Sequence, residues 1–136
     1  MTQQISTRTQ QSLANSLGSN FEANELLQSM NGGGGGLFID ADATVVTFDM
    51  LQGNRHMVTL GGSRTLAVVN TVVGQFFAVL LKQGGSGSNT VAWWSGIRWA
   101  GGSAPTLTTA VGQIDMFTFL VIAPGSYIGT TAAANC

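Results

Sequence analysis

The sequence predicts an all-β fold, an antiparallel β-sandwich of jelly-roll type, and three observations carry that expectation. From Leu37 onward the apolar residues recur with a period of two. Turn-forming Gly, Ser and Asn clusters interrupt them at intervals of about 8–12 residues. The segment 84–115 holds all three tryptophans in short aromatic stretches set between glycine-serine turns. Trp and Val suit a pleated, half-buried surface, whereas Gly and Ser allow the tight reversals between strands.

The elements follow in order. Residues 1–36 form an arm that differs from the rest: 2–31 are rich in Gln, Ser, Asn and Thr, with widely spaced apolar residues. Ser19 or Asn20 is a candidate cap for a short helix over 21–30, with Glu22 and Glu25 in its first turns, where the helix dipole favours carboxylates. Leu26, Leu27 and Met30 would make its narrow apolar stripe. Five glycines at 32–36 then form a hinge. The β domain occupies 37–136. Its expected strands are 44–50, 56–60, 65–69, 76–82, 90–94, 97–99, 114–122 and 126–129.

Two of these strands are apolar on both sides. In FFAVLL, Phe76, Ala78 and Leu80 alternate with Phe77, Val79 and Leu81. In the strand over 114–122, Met116 and Leu120 oppose Phe117, Phe119 and Val121. A sandwich strand has one face for the core and one for water, so the second apolar face asks for a cover. Another copy of the chain is the favoured cover, with the arm or a loop as the alternative. Composition agrees with an oligomer. Charged residues make up only 8% of the 136 residues and hydrophobic ones 44%, against roughly 25% charged in ordinary soluble domains.

Several function classes lose support. The five basic residues, Arg8, Arg55, Arg64, Lys82 and Arg98, are scattered in a chain of net charge −1, so no nucleic-acid footprint is expected. No apolar run approaches the roughly 18 residues of a membrane-spanning helix. The stretch MTQQISTRTQQ lacks the apolar core of a secretory signal, so synthesis in the cytosol is expected. His56, the single histidine, reads as part of a polar strand face, since a general base needs an orienting partner. Asp40 and Asp42 form a D-x-D that reads as a solvated edge, because a cation site needs further ligands. Asp115 is expected to pair with Arg98. The glycines at 32–36 lead from a polar arm into a strand and lack the strand–helix setting of a phosphate loop. No catalytic set, metal or cofactor is expected.

The tryptophans admit three roles: core packing, a subunit interface, or stacking on a glycan. Adjacent Trp93 and Trp94 point to opposite faces of any strand, so one of them is expected to leave the core. The candidate interface residues are therefore Phe76, Phe77, Trp93, Trp94 and Trp99, with Leu26 and Leu27 from the arm. Cys136, the sole cysteine, is either an inert thiol at a frayed end or an intermolecular disulfide partner.

The last hundred residues resemble a β domain that recurs at the ends of tailed-bacteriophage virion proteins, including tail fibres and capsid-attached fibre or decoration proteins. The stretches that carry the resemblance are TVVTFDMLQGNRHMVTLGGSRTLAVVN, GQFFAVLLKQGGSGSNTVAWW, IRWAGGSAPTLTT and IDMFTFLVIAPGSYIG. The most specific part is W-x-G-G-x-x-P-x-L-T from Trp99 to Thr108, followed by D-x-F-x-F from Asp115 to Phe119. The resemblance implies a structural, non-enzymatic, trimeric domain on the virion surface, assembled in the host cytoplasm. Fibre versions sit behind long shafts, whereas a short arm and a glycine hinge precede this domain. That departure favours a capsid decoration or cement protein bound to the major capsid protein through the arm. The alternative is a fibre-tip module that grips a host surface glycan.

Overall fold

The computed structural model describes residues 36–136, and within the chain Leu37–Cys136 forms a compact unit of its own. This unit is a mixed β domain with nine strands: β1 (Phe38–Ile39), β2 (Val45–Asp49), β3 (Arg55–Leu60), β4 (Arg64–Val69), β5 (Phe76–Gln83), β6 (Val91–Ala92), β7 (Ile97–Trp99), β8 (Ile114–Ala123) and β9 (Ser126–Ala133). They form a six-stranded sheet, ordered β1-β3-β5-β8-β9-β7, and a three-stranded sheet, ordered β2-β4-β6.

The expectation of an antiparallel domain is corrected. Five of the seven strand pairings are parallel, and only β5–β8 and β8–β9 run antiparallel. The cause lies in the connections. The chain reverses after each early strand, but the reversal carries it into the other sheet. Alternate strands therefore become neighbours, and alternate strands of a chain that keeps reversing point the same way.

Alternation places the core. Val46 and Phe48 of β2 and Leu66 of β4 meet Val58, Leu60, Phe77, Val79, Leu81, Phe117, Phe119, Val121 and Tyr127 in one apolar cluster. Each strand contributes every second residue, as the pleat dictates. Asp49 ends β2: its carboxylate accepts from the Leu51 N–H at 2.9 Å and starts a short 3-10 turn over Met50–Gln52. Gln83 closes β5. Buried, it donates to the carbonyls of Asn89 and Thr108 and accepts from the Asn89 N–H, holding the glycine-serine loop and the 103–109 segment against the sheet.

The expected arm, its helix over 21–30, and Leu26 and Leu27 lie outside the described residues.

Candidate interaction surface

Two of the polar groups weighed for chemistry hold the fold instead. The expectation that His56 belongs to a polar strand face is corrected: its side chain is 0% exposed. Its parity on β3 is that of Val58 and Leu60, which sends the ring inward. There Nε2 lies 2.9 Å from the Gly53 carbonyl and Nδ1 lies 2.8 Å from Oδ2 of Asp40. A carbonyl only accepts, so Nε2 carries a hydrogen. Burial pushes the imidazole pKa down, but its hydrogen bonds to Asp40 and Gly53 and the Asp40 charge outweigh it, and the net shift is upward. Asp42 does not share a strand side with Asp40. It receives both arms of Arg64, Nε at 2.8 Å and Nη2 at 2.7 Å, and its pKa is lowered, first by that hydrogen bond. Each half of the D-x-D thus ties the β1–β2 segment to a different strand.

Asp115 also departs from expectation. It sits on the inward side of β8, whereas Arg98 lies on β7, separated from β8 by β9. Asp115 accepts instead from the Thr108 N–H and hydroxyl, both at 2.7 Å, and from the Asn135 N–H at 2.9 Å. Among the described residues no group of three or more His, Cys, Asp or Glu side chains converges, and no helix is long and apolar enough to cross a membrane.

The tryptophans are likewise relocated. β6 ends at Ala92, so Trp93 and Trp94 are released from strand alternation, and both fold onto the domain's own core. Trp93 packs edge-on to Trp99 and Phe117 with centroids 5.0 Å away, and Trp94 lies 5.0 Å from Phe119. The turn chemistry of Ser95-Gly96, directly after the pair, is the sequence signal that the strand stops early. All three rings stay half-buried, packed against the core. Phe77 is 2% exposed and stacks on Phe119, so it is a core residue and not an interface one. Cys136 is exposed, but its end is not frayed: its backbone N–H and C=O pair with Ile114, each at 3.0 Å.

What remains is the outward face of the six-stranded sheet. Register aligns its residues in rows across the strands. One row reads Ile39, Met57, Leu80, Met116 and Ala133. A second reads Phe76, Leu120, Ile128 and Arg98. Phe76 is 67% exposed, Ile39 60% and Ile128 45%. Between the rows stand Arg55, Ala78, Thr118 and Thr130. Arg55, Lys82 and Arg98, scattered in sequence, are gathered by the register on this one face. None of them is in an ion pair among the described residues. Each stands at its perimeter: Arg55 opens β3 beyond the reach of β1, Lys82 is the last outward residue of β5, and Arg98 lies on edge strand β7. None of the described aspartates is on this face. The arrangement is an apolar centre with a polar and cationic rim, which is how protein interfaces are built.

Comparison of the chain with protein-family models, with curated proteins and with solved structures finds no match in any of the three. The fold and this surface together define a mixed β domain with a broad apolar sheet face.

Proposed function

We propose that the chain is a structural, non-enzymatic protein of a tailed-bacteriophage particle: a capsid decoration or cement protein acting as a homotrimer on the virion surface. Its β domain is read as a two-sheet sandwich and its arm, residues 1–36, as the part that engages the major capsid protein. The observation that supports this reading is the outward face of the six-stranded sheet, where exposed Phe76 and Ile128 and partly exposed Leu80 and Met116 form one contiguous apolar surface of the kind that marks interaction sites. The W-x-G-G-x-x-P-x-L-T stretch and the D-x-F-x-F after it support the phage context by resemblance. The mechanism is mass action: a protein that binds only the assembled lattice stabilises that lattice. Cys136 is exposed, and in this reading it links copies covalently in oxidising surroundings.

The test is co-sedimentation of the purified full chain with undecorated shells. The chain coats them, and a chain lacking residues 1–30 stays soluble yet does not. If the shortened chain coats shells fully, the arm's role is wrong.

One observation favours a second reading, a fibre-tip module for a host glycan. Asn54, Arg55, Phe76, Phe77, Ala78 and Thr118 line a shallow depression of about 260 Å³ in which an exposed aromatic ring stands beside polar groups. Binding on a glycan array, with no affinity for shells, selects that reading.

A further inference from the structure

We infer that the outward face of the six-stranded sheet is where a second copy of this chain packs, sheet against sheet. The inference goes beyond the assembly reading: one face packed on the same face of a second copy is a two-fold contact, separate from the contacts of a trimer, and it rests on that reading only for the choice of occupant.

Four observations carry it. The centre of the face holds Met57, Leu80, Met116 and Leu120 with Ala78 and Thr118 between them, and no charge. Covering it therefore strands no ion away from water, the cost that disqualifies most surfaces from burial. The face is also the right size. Five spacings of about 4.8 Å between six strands and about 20 Å along them give roughly 500 Å². Two copies then bury roughly 1,000 Å², the lower limit of a specific interface.

Shape is the third. Strand twist has a fixed hand, so the surface that best matches a twisted sheet is another sheet of the same twist, packed about 10 Å away. A second copy supplies that sheet with the same rows of Met and Leu. The fourth is the rim. Arg55, Lys82 and Arg98 sit at the perimeter, where long side chains can keep their charged heads in water when the centre is covered. They repel across a self-pairing, but weakly and only within reach of the screening length. That repulsion gives self-association a salt dependence opposite in sign to docking on an acidic partner.

The experiment is sedimentation velocity on the full chain over a concentration series, with reductant present so that Cys136 forms no link. Ionic strength is set at about 0.01 M and about 1 M, where the screening length is about 30 Å and about 3 Å. The chain self-associates, and at least about threefold more tightly at the higher salt. Leu80→Glu and Met116→Glu keep the wild-type circular dichroism and sediment as monomers. Thr47→Glu, on the exposed side of β2 in the other sheet, associates as wild type. Arg55→Glu tightens association at low salt and leaves the apolar centre intact, so it reports on the face even where a centre variant fails to fold.

A chain that stays monomeric throughout, association that survives Leu80→Glu, or association that weakens as salt rises overturns the inference. Vesicles of phosphatidylglycerol provide the remaining arm: flotation of a monomeric chain, lost in Leu80→Glu, assigns the face to lipid and also overturns it. The two readings fail separately. A monomer that still coats shells removes the self-pairing face and the trimer but leaves the decoration role, whereas a self-associating chain that never touches shells removes the decoration reading alone.

Discussion

His56 is the residue whose chemistry has the widest reach. It joins Asp40, just after β1, to Gly53, just after the 3-10 turn, through a ring with no exposure to water. Its folded-state pKa is raised above the ordinary 6.5. The stabilisation from this network is therefore complete below pH 6.5 and declines as pH rises through the higher folded value. Urea midpoints measured from pH 5 to pH 9 are expected to fall across the alkaline half of that window. In His56→Gln the profile is expected to flatten there. A wild-type midpoint that rises with pH contradicts the ring's assigned role.

Gly129 makes a different demand. It faces Phe119 across β8 and β9, and a Cβ at this position would stand 2.8 Å from the Phe119 ring and 3.0 Å from Ile97. The aromatic ring lies over the glycine and covers the strand where a side chain is missing. Gly129→Val is expected to destabilise the domain by about 1–3 kcal/mol, the usual cost of overpacking, read as a lower denaturant midpoint. An unchanged midpoint means the ring has room that the geometry denies it.

Among the elements, β8 organises the most. Its inward residues Phe117, Phe119 and Val121 are core, and Asp115 on the same side receives three hydrogen bonds from Thr108 and Asn135. Asp115→Ala removes a buried acceptor and leaves two backbone donors and a hydroxyl without their partner, and is expected to cost about 1–3 kcal/mol. Hydrogen exchange checks it: protection at Thr108 and Asn135 should fall before protection in β5.

The strands themselves were largely legible, because alternation along a strand depends only on which side is buried. The expected segments over 44–50, 56–60, 65–69, 76–82, 97–99 and 114–122 coincide with β2, β3, β4, β5, β7 and β8 to within a residue or so. Alternation says which face a residue takes but not which strand lies beside it, so the parallel pairings were invisible. β1, two residues long, was too short to show a period. His56 was readable in part: its phase with Val58 and Leu60 points inward, whereas Asp40, sixteen residues away, gives no local sign of being its partner. The positions of Trp93 and Trp94 were not legible, because adjacent residues take opposite faces only within a strand and β6 stops at Ala92. The outward face was legible as a doubly apolar β5 and β8. The gathering of Arg55, Lys82 and Arg98 around it was not, since that depends on register.

At the scale of the whole molecule, the domain spends apolar residues on two surfaces. One is satisfied inside the core, with the three tryptophans packed against it. The other, from Ile39 to Ala133 across the six-stranded sheet, faces outward. In the decoration role proposed above, every copy would use such a surface, and the copies would follow the symmetry of the shell they coat. The most direct measurement is the number of copies in purified particles, by quantitative mass spectrometry against the major capsid protein. The account predicts a fixed stoichiometric ratio to shell subunits, set by lattice symmetry. A ratio matching a tail component, or no copies at all, contradicts it.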